Sequence, residues 1–269
     1  MSAGSFHMCN IEPGVDNAKR VHTVPVALIA LLGLLVAPTV LVGVDILHNV
    51  FLTFTALAYL WSVAPAIMCL IYPGAWVLVA AACQRGSHWP LRQICLAVPA
   101  FVIIIATGLL ECRMVSSVFG INILAIRTSL ARFGLTSESA APDAEVIAWL
   151  SVVNPILEEF FWRVFMFECL RGQRFWLPAL GVSTLYASYH VPVVWNVLPP
   201  GLVALTFLFL VLLGLALQLI VDHVGLILAA AVHCAYDVVA CMLLSDVLWS
   251  VPGLLPVKIM MPTQFRSSS

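Results

Sequence analysis

The chain has little charge: 9% of its 269 residues are Asp, Glu, Lys or Arg, 62% are hydrophobic, and its mean hydropathy is +1.07. A soluble domain carries roughly a quarter charged residues, so a water-facing globular surface is excluded and a polytopic membrane protein is implied. Basic stripes are lacking too. With a formal net charge of -1 the chain has nothing to neutralise a run of phosphates, which removes nucleic acid as a partner. The 8 cysteines (Cys9, Cys69, Cys83, Cys95, Cys112, Cys169, Cys234 and Cys241) stand singly. Without a Cys-x-x-Cys pair they read as small apolar residues, not as a disulfide framework or a zinc knuckle. There is no His-Glu-x-x-His cassette and no internal repeat, and residues 266–269 form no lipidation box, so the chain is not expected to be a prenylated substrate itself.

What is present in quantity is apolar sequence. Stretches long enough to cross a bilayer as a helix, about 20 residues each, lie near 24–44, 50–72, 94–111, 146–170, 176–197, 202–221 and 225–247. They predict an all-α, polytopic integral membrane protein of about seven spans. The second stretch runs on through Tyr72-Pro73-Gly74 to Cys83, as one long tilted helix or as a helix followed by a half-span. Segment 114–135 interleaves Val118, Ile121, Ile123, Leu124 and Ile126 with Arg127 and Arg132, which suits a helix lying in the interface and leaves an eighth span open.

The polar start of the chain closes with Lys19-Arg20, and the following apolar run lacks a small-residue cleavage pattern before Asp45, so a retained anchor with a cytoplasmic N-terminus is expected. Five regions follow: a polar tail at 1–23, N-terminal membrane helices and the interfacial helix at 24–135, a linker at 136–145, the helices bearing the ionisable residues at 146–250, and a tail at 251–269. Trp61, Trp76, Trp89, Trp176, Trp195 and Trp249 lie near expected span ends and read as interfacial anchors. His7, His22, His48, His88 and His223 fall in termini or loops and are expected to be solvated; Glu111 and Glu168 lie near span ends within reach of headgroups, with an internal cavity as the alternative for Glu168.

Against that background the ionisable residues inside apolar segments stand out: Glu158, Glu159 and Arg163 on the fourth stretch, His190 on the fifth, His233 and Asp237 on the seventh. Such groups are costly in hydrocarbon and need an internal partner or a hydrated cavity. Alternating helix direction puts Glu158 about 18 Å from one end of its span, His190 at a similar depth, and His233 about 12 Å beyond Gly225, so the three can meet. Glu159 and Arg163 are one helical turn apart and can pair; Glu158, rotated by roughly 100°, is expected to be short of partners and to hold water as a general base. Pro155 removes a helical hydrogen bond just before them. Tyr186 shares a helix face with His190, and Asp237 lies where it can accept from the ring of His233 and orient it.

These residues resemble the CAAX protease and bacteriocin-processing membrane family, which includes the Ras-converting type II CAAX prenyl endopeptidases. The family's pattern is Glu-Glu-x-x-x-Arg, an aromatic-x-x-x-His, then His-x-x-x-Asn or Asp on separate membrane helices. Glu158-Glu159 to Arg163, Tyr186 to His190, and His233 to Asp237 follow it in order within residues 146–247. The resemblance implies a conical intramembrane active-site cavity and an endopeptidase in which Glu158 and His190 activate water, His233 and Asp237 lie where the oxyanion develops, and Glu159 and Arg163 support the framework and the substrate chain. Its substrate would be a membrane-anchored protein or peptide, prenylated or not, in a bacterial inner membrane or the endoplasmic reticulum.

Three positions depart from the pattern: Tyr186 replaces the usual Phe, Val164 follows Arg163 where many relatives have Gly, and Asp237 stands where prenyl-processing members have Asn. An ionised Asp cannot donate a hydrogen bond to an oxyanion. Zinc is possible from the ligand types but not favoured, and no cofactor is expected. Two other readings stay open: a non-proteolytic relative that binds a peptide or partner, of bacteriocin-immunity or scaffold type, and a proton-coupled transporter using the same groups as a relay.

Overall fold

The computed structural model describes residues 24–87, 90–119, 149–171, 175–196 and 198–249. Among these the regular structure is helical throughout. Helix α1 (Val26–Leu41) is prolonged by a π-helical turn at Val42–Ile46 and followed by α2 (Val50–Ile71), α3 (Pro73–Ser87) and α4 (Pro90–Phe119). Helix α5, residues 149–170, is assembled from π-helical Trp149–Val153, α-helical Asn154–Glu159, π-helical Phe160–Met166 and α-helical Phe167–Leu170. Helices α6 (Trp176–Trp195), α7 (Pro200–His223) and α8 (Leu226–Trp249) follow among the described residues.

Local chemistry sets most of the boundaries. Asn49 caps α2 by accepting from the Leu52 amide at 2.8 Å. Pro73 begins α3, and its ring disfavours a helical Tyr72, whose φ of -120° and ψ of 87° break the run. The second apolar stretch is therefore two helices, not one long tilted one. Pro200 occupies the first turn of α7. Gly225, at φ +134°, turns the chain between α7 and α8, and a Cβ there would collide with the Gln93 side chain, which reaches across from α4 and accepts from the Ile227 amide at 3.2 Å.

The surface is inverted relative to a soluble protein. Leu70 is 82% and Leu91 73% exposed, while Glu158, Glu159 and Arg163 are 1%, 0% and 0% exposed. Apolar groups outside and charges inside are what a hydrocarbon solvent selects, and the chain is an integral membrane protein. Among the described residues four helices are long and apolar enough to cross a membrane, at Val26–Ile46, Leu52–Ile71, Pro90–Leu110 and Pro200–His223; Pro73–Gln84 and Leu226–Met242 are shorter apolar runs. The expected count of about seven also includes α5, α6 and α8. Of these α5 carries Glu158, Glu159, Arg163 and Glu168, so packing against neighbours, not hydropathy, gives it its place.

The core has two parts. Ile29, Leu57, Trp61, Phe161, Trp162, Phe165 and Tyr186 lie in one, joining α1, α2, α5 and α6. Ala97, Leu213, Leu217, Ala229 and Val232 lie in the other, joining α4, α7 and α8. Helix α8 also packs on α5, and α6 on α7 and α1. Trp76, Trp176 and Trp195 are exposed, but Trp61 is fully buried; it is a core residue edge-on to Tyr189 at 5.9 Å and not an interfacial anchor. Glu168 is buried and pairs with Arg171 at 2.8 Å, where headgroup contact was the expectation. His48 and His223 are exposed. The tails, the linker at 136–145 and residues 120–135 of the interfacial segment lie outside the described residues; residues 114–119 continue α4.

Candidate active site

The π-helical turns flank the acidic pair on both sides, and they account for its geometry. Pro155 lacks an amide hydrogen, so the preceding turn, Trp149–Val153, closes with the wider π spacing. The second widening starts at Phe160, between Glu159 and Arg163. It swings the arginine out of straight one-turn register, so Arg163 Nε lies 3.6 Å from Glu159 Oε2 instead of making a two-pronged bond.

Glu158 was expected to be short of partners and is not. Asn154 Nδ2 donates to its Oε1, and the Tyr189 hydroxyl donates to its Oε2. Both carboxylate oxygens are thus held, one from its own helix at i-4 and one from α6. The Asn154–Glu158 spacing was visible in the sequence; Tyr189 was not, because its role depends on which face of α6 meets α5. Tyr189 stacks parallel on Trp162 at 6.0 Å, with an interplanar angle of 4°, and lies 4.0 Å from the His190 ring.

His233 occupies the centre. Its Nδ1 donates to Glu159 Oε1 at 2.8 Å. Its Nε2 faces three groups: the Tyr186 hydroxyl at 3.2 Å, Asp237 Oδ1 at 3.8 Å and Glu158 Oε2 at 3.9 Å. The residue that orients this ring by hydrogen bonding is Glu159; Asp237, expected in that role, stands beyond hydrogen-bond length and acts at ion-pair range.

His190 Nδ1 lies 2.9 Å from the Tyr186 carbonyl oxygen, which can only accept, so Nδ1 carries the proton and a neutral ring keeps Nε2 as its acceptor. Tyr186 lies between the histidines, its ring centroid 5.0 Å from His190, 5.7 Å from His233 and 4.6 Å from Arg163 Cζ. The cluster is enclosed except where Asp237, with its side chain 30% exposed, and partly buried His190 open it outward.

The chain therefore brings Glu158, Glu159, Arg163, His233 and Asp237 into one network and sets His190 against it through Tyr186 and Tyr189. With two carboxylates fixed beside an imidazole, such a site can abstract a proton and hold charge in a water-poor setting. A zinc ion does not fit it well. Among the described residues no three His, Cys, Asp or Glu groups are arranged to hold a metal.

Removing only the Tyr189 hydroxyl, by Tyr189→Phe, leaves the ring stack and frees one carboxylate oxygen. A hydrogen bond to a charged group contributes about 1.5–3 kcal/mol, so any reaction that uses Glu158 as a base is expected to slow by roughly ten- to a hundredfold in kcat with KM unchanged. Steady-state kinetics of the variant beside its thermal unfolding checks this.

Residues 141–239 match the family model described as type II CAAX prenyl endopeptidase, Rce1-like. No curated protein and no solved structure matches the chain.

Proposed function

We propose that this chain, which carries a CAAX protease family domain of the Rce1-like kind over residues 141–239, hydrolyses a peptide bond in a membrane-anchored protein or peptide. The observation that carries the reading is the double fixing of Glu158 by Asn154 and Tyr189 within 3.9 Å of His233, on helices that the bilayer solvates. A carboxylate held at both oxygens meets its proton donor in one orientation, and orientation is a large part of what a general base contributes.

In this scheme a water beside Glu158 attacks the scissile carbonyl carbon. Its proton passes to Glu158, a tetrahedral oxyanion forms, the C–N bond breaks, and the departing amine takes the proton back. His190 Nε2, the acceptor left on its ring, assists in placing the water. Glu159 and Arg163 hold His233; His233 and Asp237 adjoin the oxyanion. A substrate peptide would approach where Asp237 and His190 open the site.

Purified protein in detergent or nanodiscs is expected to cleave synthetic peptides ending in a cysteine-containing tail, read by mass spectrometry. Farnesylated and unprenylated forms in parallel distinguish a prenyl-processing enzyme from a general membrane endopeptidase, and a zinc chelator is expected to leave the rate unchanged. If neither peptide is cut while proton-driven flux appears in liposomes, the relay reading takes over.

A further inference from the structure

Two of the departures from the family pattern are neighbours in space. Tyr186, which brings a hydroxyl, and Asp237, which brings a carboxylate in place of a carboxamide, both face Nε2 of His233, at 3.2 Å and 3.8 Å. At a site meant to receive an oxyanion, an ionised Asp237 offers no donor and repels the developing charge. The missing donor has to come from another group in the same place.

We infer that the Tyr186 hydroxyl is that donor, and that it stabilises the tetrahedral oxyanion in this chain. The inference rests on the proteolytic reading and adds a catalytic residue to it. Set among the carboxylates of Glu159, Glu158 and Asp237, His233 carries a proton on both ring nitrogens, so its Nε2–H donates to the Tyr186 Oη and the hydroxyl's own proton is left to donate to a third group. Its ring is fixed on several sides: Arg163 Cζ lies 4.6 Å from the ring centroid, and the rings of His190 and Tyr189 lie at 5.0 and 5.9 Å. Tyr186 is 1% exposed, so the group needs little rearrangement when charge appears. A tyrosine held this way is expensive unless its hydroxyl has a partner, and it meets one in His233, the residue nearest the expected oxyanion.

The test is a pair of variants on whichever peptide the wild type cleaves. Tyr186→Phe keeps the ring and removes the donor; it is expected to lower kcat by about a hundredfold or more with KM unchanged. Adding Asp237→Asn supplies an amide donor at the neighbouring position, and the double variant is expected to regain at least tenfold of the loss. A ring that served packing alone would show no such recovery. Unimpaired turnover in Tyr186→Phe overturns the assignment, and so does a loss that the second substitution leaves untouched. A wild type that cleaves no peptide removes the proteolytic reading and this one together, whereas either of the former results removes only this one.

Discussion

Glu158→Gln is expected to reduce peptide hydrolysis on the order of a thousandfold or more, because an amide of nearly the same shape cannot take the proton from water. The substitution is conservative for the fold. Both carboxylate oxygens now accept, from Asn154 and Tyr189; a glutamine oxygen can keep one of those bonds, and the tyrosine hydroxyl can turn to accept from the new amide. The remaining mismatch is worth about 1–3 kcal/mol, a shift in thermal unfolding but not a collapse. Single-turnover cleavage measured beside a melting curve separates the two effects. Turnover within tenfold of the wild type would take Glu158 out of the chemistry and favour a site that binds without hydrolysing.

Arg163→Ala acts on stability instead. The arginine is fully buried, with Glu159 Oε2 at 3.6 Å and the Tyr186 ring at 4.6 Å. Deleting one partner of a buried ion pair leaves Glu159 with only its bond from His233, at a cost of about 3–5 kcal/mol. For a chain of this size that corresponds to a fall in Tm of roughly 10 °C. A compensating change separates lost charge from lost packing. Arg163→Met with Glu159→Gln removes both charges while filling the space, and is expected to recover much of the loss, as coupled sites do. Recovery in Arg163→Met alone, with Glu159 left charged, would place the effect in packing, whereas recovery only when Glu159→Gln is added places it in charge. Cleavage is expected to suffer in both, since Glu159 also holds Nδ1 of His233.

Much of this molecule is legible in the bare sequence, and the limits have physical causes. Low charge against a hydrophobic majority gives an all-helical membrane chain directly, because only closed hydrogen-bonding segments survive in lipid. The ionisable residues are equally visible, since each is anomalous in its apolar surroundings. Partners across helices are not. Tyr189 sits beside His190 in the sequence but meets Glu158 on another helix, and nothing in a one-turn spacing announces that contact. Trp61 resembles an anchor by position along its span, yet hydropathy is blind to which way a residue faces. The loosened Glu159–Arg163 contact depends on a π-helical turn, and a change from four-residue to five-residue hydrogen bonding leaves no mark in composition.

The Gln93 side chain that fastens the first turn of α8 has a consequence for how the protein can be dissected. The helix bearing His233 and Asp237 is moored at its beginning by a residue of α4 and, further along, Gly108 of α4 lies against Val239. Trp61 of α2 buttresses the ring that steadies Glu158. A fragment trimmed to the recognisable domain would keep every motif residue and lose the walls that set their spacing, so the minimal working unit reaches back to the first half of the polypeptide.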